Sequence, residues 1–74
     1  MEIVTVEEFI KKYLNREIVG FEEYLFKTEM GFLYIEEIDL IGNGEIKIKN
    51  ATADMVEYLT KDDKLYKVTD IETH

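Results

Sequence analysis

The segment from Ile35 to Lys49 constrains the fold of this chain more than any other stretch. It reads IEEIDLIGNGEIKIK, with the turn signal Gly42-Asn43-Gly44 between two arms. Apolar and charged residues alternate without a break in the arm EIKIK, as they do in a strand with one buried face. The segment therefore predicts an antiparallel hairpin.

Two loop lengths give this hairpin different registers. A two-residue loop sets Asp39 opposite Ile48, so that a charge faces an apolar side chain. A three-residue loop instead pairs Leu40 with Ile46 and Asp39 with Lys47. We prefer the three-residue loop because apolar and opposite-charge cross-strand pairs each contribute about 0.2–1 kcal/mol. The same register pairs Ile38 with Ile48 and Glu37 with Lys49.

A further strand is expected before this hairpin. Residues 18–34 also alternate, and they are rich in β-branched and aromatic side chains. A three-residue loop at Glu29-Met30-Gly31 pairs Leu25 with Ile35 and Glu23 with Glu37. The prediction is a three-stranded meander with two unlike faces. We expect the core face to consist of Tyr24, Phe26, Phe32, Tyr34, Ile38, Leu40, Ile46 and Ile48, with Glu36 as an intruder in need of a hydrogen-bond donor.

The other face of this meander is the candidate protein-binding surface. It combines an apolar cluster with acidic neighbours, and exposed apolar patches often mark interaction sites. The alternative is that an N-terminal segment or the last strand covers it. The candidate residues are Leu25, Leu33, Ile35, Glu23, Glu37 and Asp39.

The remaining segments predict two helices and a last strand. Thr5 and Glu8 have the spacing of a capping box, and apolar residues follow at helical spacing, which predicts a helix over about Val6 to Asn15. Asp54 and Glu57 repeat that spacing. A short apolar stripe of Met55, Val56 and Leu59 accompanies them and ends near Lys61, which predicts a second helix. The alternating segment from Leu65 to Ile71 predicts a strand.

The order helix-strand-strand-strand-helix-strand predicts an α+β fold. Two helices on one face of an antiparallel meander make a two-layer domain. A chain of 74 residues is expected to form a single small domain over residues 1–74, with a correspondingly small core.

The net charge of the chain limits the classes of partner that it can bind. It has 17 acidic and 9 basic side chains, a formal net charge of -8. This charge repels phosphate backbones and anionic lipids, so we expect no direct binding of nucleic acid or membrane. The chain has no cysteine, no signal-peptide pattern and no long apolar run, which favours a cytoplasmic location.

The sequence offers little for catalysis. Serine and cysteine are absent, and the only histidine is the last residue, His74. Glu23 and Glu37 are the best-placed carboxylate pair, but Lys49 lies beside Glu37, and solvated surface charge is the simpler interpretation. We expect no catalytic residue, no metal site and no cofactor.

These observations favour a small acidic protein-binding module without catalytic activity. Its partner would be the basic surface of a larger protein, and the module would act as a regulator or inhibitor, for example by imitating the charge of nucleic acid. The alternative is a self-associating scaffold domain that forms a homodimer through the outer face of its sheet.

Overall fold

The protein is described here from a computed structural model, for residues 1–18 and 20–69. It is an α+β fold with one helix and seven strands in the described part of the chain. The elements in chain order are β1 (Glu2–Thr5), α1 (Val6–Leu14), β2 (Tyr24–Thr28), β3 (Gly31–Tyr34), β4 (Glu37–Gly42), β5 (Glu45–Asn50), β6 (Met55–Leu59) and β7 (Lys64–Lys67).

The strands form two antiparallel sheets instead of one meander. The four-stranded sheet has the order β1-β7-β2-β3, and the three-stranded sheet has the order β4-β5-β6. The chain passes from one sheet to the other between Tyr34 and Glu37. Both sheets and α1 contribute to one core, because a single sheet of this size could not bury enough apolar surface. The buried core residues are Val4, Val6, Phe9, Tyr24, Phe26, Ile35, Ile46, Ile48 and Leu65.

Helix α1 begins as its capping box predicts. The Glu8 N–H donates to Thr5 Oγ1 (3.1 Å), and the Thr5 N–H donates to Glu8 Oε1 (3.2 Å). Val6 and Phe9 are buried, and Phe9 meets the Tyr24 ring edge-on with 5.0 Å between centroids. The helix has nine residues. No helix in the described ranges has the length and apolarity needed to span a membrane.

The predicted second helix is wrong, because Met55–Leu59 is strand β6. Asp54 has φ 57°, whereas a helix N-cap needs an extended backbone. The segment is also only five residues long, too short for a stable helix, and pairing with β5 satisfies its backbone instead. The spacing of Asp54 and Glu57 matched a capping box by coincidence.

The register of the β4-β5 hairpin is confirmed. Leu40 pairs with Ile46 and Asp39 with Lys47, and the pairs of Ile38 with Ile48 and Glu37 with Lys49 are also present. The loop itself differs, since Gly42 pairs with Glu45 across the two residues Asn43-Gly44, both with positive φ. Ile41 is then an extra residue, a β-bulge that restores the predicted partners.

The register of the β2-β3 hairpin is one residue away from the prediction. Phe26 pairs with Leu33 and Leu25 with Tyr34, because the loop has two residues instead of three. Thr28 stabilises this shorter loop, since its Oγ1 accepts from the Met30 N–H (3.0 Å) and donates to the Gly31 carbonyl (2.9 Å). A shift of one residue turns every side chain of β3 to the opposite face.

The first and last strands of the described residues pair with each other in the four-stranded sheet. Strand β1, which the sequence patterns did not predict, pairs with β7 from Glu2–Lys67 to Thr5–Lys64. The predicted last strand is present as β7, and its expected end at Ile71 lies outside the described residues, as does His74.

Candidate protein-binding surface

Two of the three apolar residues predicted for the surface do not lie where the alternation placed them. Ile35 is 3% exposed and belongs to the core, and Leu33 packs against the same core. The one-residue shift of β3 is the cause, because it turns Leu33 inward and exposes Phe32 and Tyr34. Leu25 does point away from the core, yet its side chain is buried among its neighbours in the sheet.

The acidic members of the predicted surface are divided between the two sheets. Glu23 lies 4.0 Å from the Lys67 ammonium, next to the four-stranded sheet. Glu37 and Asp39 lie on β4 of the three-stranded sheet, opposite Lys49 and Lys47. The structure therefore does not bring Glu23 opposite Glu37, and the six predicted residues do not form one surface.

A different surface is exposed on the four-stranded sheet. Cross-strand partners form a row over all four strands, in which Tyr66 lies between Ile3 and Leu25, and Leu25 pairs with Tyr34. Phe32 lies beside this row and meets the Tyr66 ring edge-on, with 4.9 Å between centroids. We call these five residues, Ile3, Leu25, Phe32, Tyr34 and Tyr66, the outer face.

The outer face is accessible to solvent. Ile3 is 57% exposed, Tyr34 51% and Phe32 43%. Helix α1 lies on the other side of the sheet, where Phe9 contacts Tyr24 in the core. Large exposed apolar or aromatic side chains that lie together on one face of a sheet mark an interaction site more often than scattered ones do.

Two lysines border the outer face. Lys27 pairs with Phe32, and Lys64 precedes Tyr66 by two residues on β7, which places both lysines on the side of the sheet that carries the outer face. Strands β2 and β7 pair only at Tyr24–Lys67 and Leu25–Tyr66, and beyond that point they enclose a cleft of about 310 Å³ that both lysines line. Within the described residues the single ion pair is that of Lys67 with Glu23, so neither Lys27 nor Lys64 has a carboxylate partner there.

Asp62 and Asp63 also line this cleft, in the turn between β6 and β7. Asp63 is engaged inside that turn, because its Oδ2 accepts from the Thr60 N–H (2.8 Å) and hydroxyl (3.3 Å). The same turn also contacts the start of α1, because the Val6 N–H donates to the Asp63 carbonyl (2.9 Å). These contacts give Asp63 a structural role at the end of the cleft.

Glu36 is not an intruder in the core, as its sequence position suggested. It is exposed, and its Oε1 accepts from the Ala51 N–H (2.7 Å) and the Thr52 N–H (3.3 Å). Its Oε2 accepts from the Thr52 hydroxyl (2.9 Å). The bonds from the Thr52 hydroxyl and the Ala51 N–H lower the pKa of the Glu36 carboxyl. Glu36 thus joins the β3-β4 connection to the turn before β6.

We expect Glu36→Gln to lower the free energy of unfolding at neutral pH and to change it little in acid. Because the folded-state pKa is lowered, the carboxylate stabilises the fold above its ordinary pKa, and this contribution is lost as the pH falls through the lowered value. Urea unfolding of both proteins between about pH 7 and about pH 2.5 measures the difference.

Glu37→Gln serves as the control for this experiment, because Glu37 is also exposed and lies outside this set of hydrogen bonds. If the difference in the free energy of unfolding between wild type and Glu36→Gln stays constant down to the lowest pH, the charge of the carboxylate does not contribute to stability.

The part of the chain that the structure describes holds no group of three or more His, Cys, Asp or Glu residues placed to share a metal ion. An open cleft of about 490 Å³ next to the outer face is lined by Phe21, Glu22, Tyr34, Ile35 and Glu36. Of the two carboxylates in this lining, that of Glu36 already accepts a hydrogen bond from the backbone of the neighbouring turn. The exposed aromatic side chains remain the clearest functional feature.

The comparisons with known proteins add no assignment to this geometry. No family model matches the chain, and no curated protein and no solved structure matches it.

Proposed function

We propose that this protein is a non-catalytic protein-binding module that docks through the outer face of its four-stranded sheet. The observation that carries this proposal is the exposure of Ile3, Phe32 and Tyr34 in one continuous face. Aromatic residues are enriched in the centres of protein interfaces, where they supply most of the binding energy. Binding would remove these side chains from water.

The net charge of -8 supports the further proposal that the partner is a larger, positively charged protein. Attraction between opposite net charges speeds association, and salt screens it, while the apolar face supplies the affinity. A small domain that covers part of a basic protein acts as its regulator or inhibitor. The absence of cysteine suits a reducing compartment such as the cytoplasm, which we include in the proposal.

A pair of tyrosine variants tests this function. Tyr34 lies in the outer face, whereas Tyr58, 66% exposed, lies on β6 of the three-stranded sheet. We expect Tyr34→Asp to weaken partner binding at least about tenfold, because a charge then enters a desolvated interface. Tyr58→Asp should leave binding unchanged. Quantitative affinity capture from an extract of the source organism, with both variants and wild type as baits, measures this.

Both variants must retain the fold for the comparison to hold, which circular dichroism and thermal unfolding establish. Aspartate at a half-exposed strand position typically lowers the free energy of unfolding by about 1 kcal/mol, which leaves both variants folded. Equal capture by all three baits would contradict docking through the outer face. Loss of capture with Tyr58→Asp but not with Tyr34→Asp would move the site to the three-stranded sheet.

A further inference from the structure

The size of the outer face limits what can occupy it, and this inference rests on the proposed function. Four strands of about four residues present a face of about 19 by 13 Å, since strands lie about 4.8 Å apart and rise about 3.3 Å per residue. A stable interface between two globular proteins buries about 800 Å² on each partner. A second copy packed through this face alone would bury much less, which disfavours a homodimer, whereas the footprint of the face matches a single secondary-structure element of a partner.

We propose that the occupant is an amphipathic helix of the positively charged partner protein, with a few acidic side chains confined to the flank that meets Lys27 and Lys64. The row from Ile3 to Tyr34 extends over about 14 Å, which equals about nine residues of helix. Helices bind partners in this way by laying an apolar stripe with spacing i, i+3, i+4 and i+7 on an apolar surface.

The two lysines determine the chemistry of the flank. They lie along one side of the apolar row, where Lys27 pairs with Phe32 and Lys64 with Thr5. Asp62 and Asp63 line the same cleft, but no carboxylate of the described residues forms an ion pair with either lysine. A helix on the row covers the lysine stems and partly desolvates their ammonium groups. Such burial is unfavourable unless an opposite charge is supplied. Acidic residues of the helix, spaced one turn apart, supply it.

Aromatic side chains beside lysines can also form a stacking platform for single-stranded nucleic acid. The net charge of -8 opposes this alternative, because phosphate backbones are repelled over a Debye length of about 8 Å at physiological salt. The net negative charge of the protein repels a helix with a few carboxylates much less than a single-stranded nucleic acid with one phosphate per nucleotide. The charge balance therefore favours the helix.

Two synthetic helices serve as the probes for the test. Both have about 18 residues and the same leucine stripe, and they differ only in carrying glutamate or lysine along one flank. We expect the glutamate peptide to bind at least about tenfold more tightly in fluorescence anisotropy at physiological salt. Backbone amide shifts of β1, β2, β3 and β7 in NMR spectra should locate it on the outer face.

A double charge reversal, Lys27→Glu with Lys64→Glu, should invert the preference of the protein for the two peptides. The matched control reverses Lys11 and Lys12, two exposed lysines on α1, and should leave the preference unchanged. Inversion by the first pair and not by the second supports the proposal.

Several results would overturn the helix proposal. These are tighter binding of the lysine peptide, weak binding of both peptides, shifts located on another surface, tighter binding of a single-stranded oligonucleotide, or a dimer in analytical ultracentrifugation that Tyr34→Asp dissociates. The affinity-capture experiment separates this failure from failure of the proposed function. If Tyr34→Asp still abolishes capture, the outer face binds a partner of another shape. If Tyr34→Asp leaves capture unchanged, both proposals are wrong.

Discussion

Replacing Ile35 with aspartate is expected to unfold the protein. Ile35 is 3% exposed and shares the core with Tyr24 and Phe26. An unpaired carboxylate in such a site costs several kcal/mol, and the loss of apolar packing adds to it. A domain of this size has only about 3–5 kcal/mol of net stability. Far-UV circular dichroism and urea titration should show no cooperative folded state at 25 °C.

Tyr34→Asp is the matched control, because the substitution is made one residue earlier on the opposite face of β3. Tyr34 is half exposed but lies opposite Leu25 in the sheet, so the substitution should lower the free energy of unfolding by about 1 kcal/mol, too little to unfold the protein. The pair tests the register directly, since a shift of one residue would exchange the two outcomes. A cooperatively folded Ile35→Asp protein would show that the assignment of faces on β3 is wrong.

Asn50→Ala should destabilise the protein by about 2–3 kcal/mol, because it leaves two backbone groups without partners. Asn50 is buried at the end of β5. Its Nδ2 donates to the Tyr34 carbonyl (2.9 Å), and its Oδ1 accepts from the Ala53 N–H (2.8 Å). One side chain therefore connects the four-stranded sheet to the turn that leads into β6. Urea denaturation with an unchanged m value is the measurement.

Asn15→Ala provides the comparison, since Asn15 is exposed at the end of α1. Its effect should stay within about 0.5 kcal/mol. If the two alanine variants unfold at the same urea concentration, the connection through Asn50 contributes nothing to stability.

The sequence by itself predicted the features that depend on neighbouring residues. The start of α1 follows from Thr5 and Glu8, three residues apart, whose hydrogen bonds form within one turn. The pairing of Leu40 with Ile46 follows from alternation on both arms of a short loop. Net charge and composition also led to the expectation of a non-catalytic binding module, which is retained as a proposal.

The tertiary structure decided the features that depend on distant residues. The β2-β3 register depends on whether the loop has two or three residues, and the hydrogen bonds of the Thr28 side chain favour the shorter loop. This register determines whether Ile35 or Tyr34 is exposed. Met55–Leu59 is a strand because β5 lies beside it and offers backbone partners that a five-residue helix cannot supply. The outer face exists because residues from both ends of the chain, Ile3 and Tyr66, pair next to β2. No local pattern encodes that pairing, since it satisfies the backbone of two segments about sixty residues apart, and only the assembled sheet brings these side chains onto one face.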